Sequence, residues 1–291
     1  MIKEEKINPR LILYREKYRE QALHDEYRTK LTTILEQISH NEVQTQSLDK
    51  MKSRIFYELA YSAYMNGQYQ LSIENYEQSN IYALKSGHDI GHSINLCHQT
   101  KVKFFNGDIS AQKAQGLLIE QETRINELYH KTYGGLEETW TWNVHFLLME
   151  IDLILNDVED AELRRELIFK HKVSQPYNDP DSELYEATKF WIRSIETFSD
   201  FIAGRYEEAL HALTYILDFE RIQSDAIQYM EDPSLKWYEC QSKEFFIAGK
   251  SHKILGNEQM SKKCFECGLM LNPGYANHYY QKLIQKEISS Q

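Results

Sequence analysis

Five tight junctions constrain this chain more than any other feature. They are Asn66-Gly67-Gln68-Tyr69, Asn106-Gly107-Asp108-Ile109, Leu155-Asn156-Asp157-Val158, Ala203-Gly204-Arg205-Tyr206 and Leu255-Gly256-Asn257-Glu258. At each of them one helix-like apolar stretch stops and a second begins. Recurrence at a spacing of tens of residues marks a stack of helical hairpins, in which each unit must bury its apolar face on its neighbours. Such an array offers a curved binding surface. How the chain works is therefore legible sooner than what it recognises.

The rest of the sequence agrees with helices throughout. The five prolines, Pro9, Pro176, Pro180, Pro233 and Pro273, fall where helices are expected to begin or end. Apolar spacing between them is helical, and strand-like alternation is nowhere sustained. The expected fold class is all-α. Stacked repeats add core linearly, so the 291 residues read as an amino-terminal helical segment, 1–50, packed on one elongated array, 51–291. Leu11, Tyr14, Tyr18, Tyr27, Leu31, Ile34, Leu35 and Ile38 give that segment one or two amphipathic helices, and Asn41 to Asp49 reads as a polar loop.

Composition narrows the partners. A formal charge of −11 and the absence of a basic run argue against nucleic acid, because phosphate binding draws on clustered Lys and Arg. A basic or neutral ligand is easier to accommodate. The 20 tyrosines suit walls that are half buried and half wet, since each hydroxyl needs a partner. Four cysteines imply no disulfide framework, and the start, Met1-Ile2-Lys3-Glu4-Glu5-Lys6, carries no apolar signal segment. The most apolar stretch, Val144 to Leu155, contains His145, Glu150 and Asp152, which is incompatible with an ordinary membrane span. A cytoplasmic protein is expected, with no membrane partner.

The first hairpin places Phe56, Leu59-Ala60, Gly67-Gln68-Tyr69, Ser72, Tyr76 and Ser79 in order, and the last places Phe245, Ala248-Gly249, Gly256-Asn257, Ser261, Phe265, Gly268 and then Pro273. These positions resemble the tetratricopeptide repeat: a large residue, a Leu-small pair, a Gly-containing turn, then small, aromatic and small residues. The middle hairpins match in part, through Asn156-Asp157-Val158 with Ala161 and through Gly204-Arg205-Tyr206 with Ala209. There the preceding helix, around Ile195 and Phe198, is out of register. The turn centres lie 40, 49, 48 and 52 residues apart, against about 34 in the standard repeat, so this is a long-repeat variant. Extra length is expected at Gly134-Gly135, Val173 to Asp181 and Ser224 to Ser234.

The resemblance covers roughly residues 51 to 282 and implies a right-handed superhelical stack of hairpins. Long irregular repeats also resemble bacterial peptide-pheromone receptors built on such arrays, although residues 1 to 50 lack the DNA-binding helix-turn-helix that those often carry.

In tetratricopeptide arrays the first helix of each hairpin lines the concave face. Carried over by position, that face receives Tyr57, Tyr61 and Tyr64, then His98, Lys101 and Phe104, then Asn143, Phe146 and Glu150, and finally Phe246, Lys250 and Lys253. Aromatics mixed with a few charges suit an extended peptide, whose backbone needs polar partners and whose side chains need apolar pockets. Several of these aromatics could equally pack between repeats. The two-carboxylate clamp of the family is not reproduced.

Candidate chemistry elsewhere is sparse. Cys264 and Cys267 lie inside a second helix beside core positions and read as packing residues. His88, His92 and His98, with Cys97, form the densest histidine cluster. His88 and His92 would share a face on a helix and could chelate a metal. His88-Asp89-Ile90-Gly91 reads instead as a loop and helix start, so a surface role is expected. Asn178-Asp179-Pro180-Asp181-Ser182-Glu183 reads as a helix cap rather than a calcium loop. Glu137-Glu138 and Glu207-Glu208 point to different sides of a helix, into solvent. No metal, cofactor or catalytic set is assigned.

The expectation is a non-enzymatic adaptor or regulator that binds a peptide or protein segment in its groove, with homodimerisation left open. A pheromone receptor acting through protein contacts, and an enzyme or metal-dependent hydrolase on a helical scaffold, are the alternatives.

Overall fold

In the computed structural model, Gly67, Gly107, Asn156, Gly204 and Gly256, one from each junction, all take a positive φ, from 54° at Asn156 to 86° at Gly107. Any residue with a Cβ is strained there, which is why glycine holds four of the five positions. Each glycine turn closes with the same pair of backbone hydrogen bonds. Gly67 N–H donates to Tyr64 O and Gln68 N–H to Ala63 O, both at 2.9 Å, and the pattern repeats at Gly107-Asp108, Gly204-Arg205 and Gly256-Asn257. This arrangement satisfies the last carbonyls of a helix while reversing the chain. A sixth such turn, at Gly87 with φ 67°, was not among the sequence junctions. His88 N–H donates to Ala83 O across it at 2.9 Å.

The structure describes residues 24–39, 45–133, 140–173, 183–214, 242–270 and 278–290. Among them the chain forms twelve helices and no strand: α1 His24–Ser39, α2 Gln46–Met65, α3 Tyr69–Lys85, α4 Asp89–Asn106, α5 Ala111–Tyr133, α6 Trp140–Leu155, α7 Val158–Val173, α8 Glu183–Ile202, α9 Tyr206–Leu213, α10 Ser242–Ile254, α11 Glu258–Met270 and α12 His278–Ser289. All five prolines and the three stretches expected to hold extra length fall wholly or mostly outside the described residues. The helices themselves contribute length, since α5 runs for 23 residues and α8 for 20. The chain divides into two compact units, 1–147 and 148–291.

In the first unit each helix from α1 to α5 packs on the next. Tyr27, Leu31, Ile34 and Ile38 of α1 share one core with Leu48, Met51, Ile55 and Leu59 of α2. Burying a side chain of this size contributes about 1.5–3 kcal/mol. The polar loop expected up to Asp49 is shorter than the sequence suggests. Thr45 caps α2 by accepting from Leu48 N–H at 3.2 Å, so Gln46 to Asp49 is already helical. The helix runs on through residue 50.

The opposite side of α2 meets α3 at close range. Ser53 Oγ donates to Ser79 O at 3.0 Å and Ser79 Oγ donates back to Ser53 O at 2.7 Å. Ser72 Oγ donates to Ala60 O at 2.7 Å, and Asn95 of α4 reaches Ser79 Oγ at 2.7 Å. The small residues of the pattern therefore do more than leave room. Ser53, Ser72 and Ser79 satisfy their own hydroxyls on the facing backbone, as buried hydroxyls generally do. Phe56 stacks on Tyr82, with centroids 5.6 Å apart, at one end of this interface.

The second unit repeats the contact in its last hairpin. Ser242 Oγ donates to Gly268 O at 3.0 Å across 26 residues, the same separation as Ser53 and Ser79. A Cβ on Gly249 would lie 2.3 Å from the Phe265 ring, and one on Gly268 would lie 2.6 Å from Ile284 Cδ1. Both glycines are demanded by close approach. Elsewhere in this unit, Arg205, at the α8–α9 turn, donates to Asp200 at 2.8 Å and to Glu162 of α7, while Arg165 reaches Asp200 at 3.0 Å.

Two glycines of opposite character test this packing. Gly249→Ala should lower the unfolding free energy by about 1–3 kcal/mol through overpacking against Phe265. Gly116→Ala, inside α5 with nothing within 4 Å of its added Cβ, should raise it by roughly 0.5–1 kcal/mol. Urea denaturation of both variants reads the result; equal effects would contradict the assigned packing.

Candidate functional site

Six of the twelve residues expected to face a ligand come together in the first unit. Tyr57, Tyr61 and Tyr64 lie at i, i+4 and i+7 on α2, and His98, Lys101 and Phe104 lie three apart on α4. Side chains bridge the two helices. Tyr57 Oη and His98 Nε2 are 3.2 Å apart, and their rings meet edge to face at 5.4 Å. On its other side His98 stacks on Tyr76, with centroids 6.0 Å apart and planes 11° from parallel. Lys101 Nζ lies 5.2 Å from the Tyr64 ring centre and 5.5 Å from that of Phe105, so its charge is held against two aromatic faces.

Exposure divides these six. Tyr64, Lys101 and Phe104 are buried and form a floor, whereas Tyr57, Tyr61 and His98 remain partly exposed above it. The notion of half-wet tyrosine walls holds for Tyr57 and Tyr61. It fails for Tyr27, Tyr76 and Tyr280, whose exposures are 0%, 1% and 0%. Tyr27 tolerates burial because its hydroxyl donates to the buried Glu58 carboxylate at 3.1 Å.

The remaining six are placed differently. The side chain of Asn143 lies outside the described residues. Phe146 is buried in the first unit, close in sequence to His145, whose Nδ1 is 3.1 Å from Glu122 of α5. Glu150 is 1% exposed and accepts from Lys243 Nζ at 3.3 Å, inside the second unit and not on an open face. Lys243 also lies 3.9 Å from Glu244 and over the Phe198 ring at 5.9 Å. Breaking such a buried pair costs more than forming it contributes, because a lone charge is left dry. Lys250 and Lys253 both donate to Glu287 of α12, and the Phe246 ring lies 5.9 Å from that of Tyr280.

Sequence reasoning missed Lys243, Glu244 and Glu122, and no local spacing announces them: Lys243 and Glu150 are 93 residues apart.

The residues singled out for metal or redox chemistry are packing groups where they are described. Cys264 is wholly buried, and burial followed by the neighbouring Cys267 pushes its thiol up to about 12. Burial, then Glu122, does the same to Cys97. Such thiols are poor nucleophiles and poor ligands. The His88 ring folds over Gly91, where a Cβ would come within 2.1 Å of Nδ1. Among the described residues no three His, Cys, Asp or Glu side chains are arranged to hold a metal. Glu207 and Glu208 are exposed, as expected. Glu137-Glu138 and the segment from Asn178 to Ser182 lie outside the described residues. Among the described residues, no helix is long and apolar enough to cross a membrane.

Burial lowers four histidines below their ordinary value of 6.5: His88, with a further contribution from Lys50; His92, with one from Arg124; His252; and His278, with one from Lys282. The unfolded chain therefore takes up these protons first. Their contribution is fully present above pH 6.5 and is lost as pH falls through the depressed folded values. Imidazole proton titrations by NMR should place His88 and His92 below 6.5, and the thermal midpoint should fall between pH 6.5 and 5. Midpoints at or above 6.5 would contradict the buried placement. No protein-family model and no curated protein matches the chain.

Proposed function

We propose that the chain is a non-enzymatic, tetratricopeptide-like helical array that binds a peptide or protein segment, with the α2–α4 face of the first unit as the principal contact surface. The carrying observation is the partly exposed trio Tyr57, Tyr61 and His98, set on a buried floor of Tyr64, Tyr76, Lys101 and Phe104. Packing fixes the rings before any ligand arrives, so little side-chain freedom is lost on binding. Tyrosine and imidazole combine an apolar face with a polar edge, which matches a peptide that must lay down side chains and satisfy its backbone together.

Repeat geometry supports the same reading. The first and last hairpins share their turn, their aromatic and their serine contact at equal spacing, and helices that pack mainly on their sequence neighbours form extended arrays. A right-handed superhelical course and a cytoplasmic setting belong to this proposal.

The test is a selection of random displayed peptides on the full chain, followed by affinity measurements on the winners. Tyr57→Ala combined with Tyr61→Ala should weaken them at least tenfold, about 1.4 kcal/mol, with helical circular dichroism unchanged. Unchanged affinity would remove the α2–α4 face from the account.

A further inference from the structure

Phe246, Lys250 and Lys253 were expected to face a ligand, and in the second unit they face α12. The Glu287 carboxylate sits between the two lysines, accepting from Lys250 Nζ at 2.8 Å and from Lys253 Nζ at 3.1 Å. Partial burial pushes this carboxyl up, but the two lysines together outweigh burial and hold it below its ordinary value. Tyr280 is wholly buried, with its ring centre 5.9 Å from that of Phe246. Ile284 is also wholly buried and occupies the space that Gly268 leaves open. Gln281 Nε2 adds a 3.4 Å contact to Gly268 O.

The anchors of α12 are therefore Tyr280, Ile284 and Glu287, at i, i+4 and i+7. That is how an amphipathic helix seats itself in a groove: two apolar pegs on one stripe and a charge at the rim. The three residues that receive it, Phe246, Lys250 and Lys253, lie on α10, the helix whose equivalent in the first hairpin, α2, carries Tyr57, Tyr61 and Tyr64. The last hairpin is thus occupied by the chain itself.

We propose that α12 is an intramolecular ligand, an autoinhibitory helix that withholds the Phe246–Lys250–Lys253 face from an acidic helical segment of a partner with the same pattern, aromatic, aliphatic and carboxylate at i, i+4 and i+7. The partner's nature rests on the peptide-binding reading above, whereas the self-contact does not. Glu287 is the latch. It is the one anchor of the three that is only partly buried, so it contributes reversibly and in a salt-dependent way, while Tyr280 and Ile284 supply the apolar seat.

The test uses the full chain and a synthetic peptide of residues 278–290 as the probe. Glu287→Gln should speed amide hydrogen exchange in α12 at least fivefold while α2 and α3 exchange as before. The same variant should bind the peptide in trans at least tenfold more tightly than the unaltered chain does. Adding Lys250→Gln and Lys253→Gln should abolish that binding. If exchange in α12 rises but the peptide does not bind, α12 is a cap and not a ligand, and the proposal fails. It fails equally if exchange is unchanged. Glu287→Asp, which shortens the latch and leaves both lysines of the face intact, provides a milder opening should Glu287→Gln perturb folding. Because Tyr57 and Tyr61 take no part, loss of binding here leaves the α2–α4 face to be judged by its own assay.

Discussion

The close approach of two helices within a hairpin is the constraint from which the other features follow. Ser53 and Ser79 exchange hydrogen bonds with each other's backbone, and Ser242 Oγ donates one way to the carbonyl of Gly268 at an identical separation of 26 residues. Backbones this near leave no volume for larger side chains at the contact. The aromatic residues are therefore displaced to the flanks, where Phe56 meets Tyr82 and where Gly249 must make way for Phe265. A tight left-handed turn is the matching requirement at the end of the hairpin, because a longer connection would not fix which small residues face one another.

Chemistry accumulates where that packing leaves a side. In the first unit, large side chains bridge α2 and α4: Tyr57 meets His98, Tyr64 stacks on Phe105, and Lys101 lies over the Tyr64 ring. Some of those rings keep an edge in water. The equivalent side of the last hairpin meets α12, so the same geometric opportunity is closed by the chain's own Tyr280 and Glu287. The two hairpins differ in what covers that side: α4 leaves Tyr57 and Tyr61 partly exposed, whereas α12 brings Tyr280 and Ile284 to full burial. Buried charge is paired at Glu122 with His145 and at Glu150 with Lys243.

How much of this was legible in the sequence depends on the range of each interaction. The five junctions could be read because a positive φ restricts the residue itself to Gly or Asn. Gly87 makes the same turn and was not among the junctions read from the sequence. Tyr57, Tyr61 and His98 were named by carrying over the concave-face positions of the resembled repeat, and their meeting across α2 and α4 rests on packing within one unit. Glu150 was misplaced because its partner, Lys243, is 93 residues away and spacing along α6 cannot reveal a partner that tertiary packing supplies. Lys250 and Lys253 were expected to face a ligand, and nothing near them in the sequence signals that Glu287 would come back to pair with both. The pairing of Ser53 with Ser79 and of Ser242 with Gly268, 26 residues apart at both ends of the sequence, lies too far along the chain for the pattern within one helix to announce.

The most direct measurement is a disulfide trap across the first hairpin. With Ser53 Oγ and Ser79 Oγ 3.2 Å apart, cysteines at both positions should fall within the Cβ separation of about 3.5–4.5 Å that a disulfide needs. Under mild oxidation of the folded S53C/S79C chain, peptide mapping should recover a 53–79 linked pair in high yield, and the linked protein should melt at a higher temperature than its reduced form. Failure to link in the native state, or linkage only after denaturant is added, would contradict the close-packed hairpin on which the account rests.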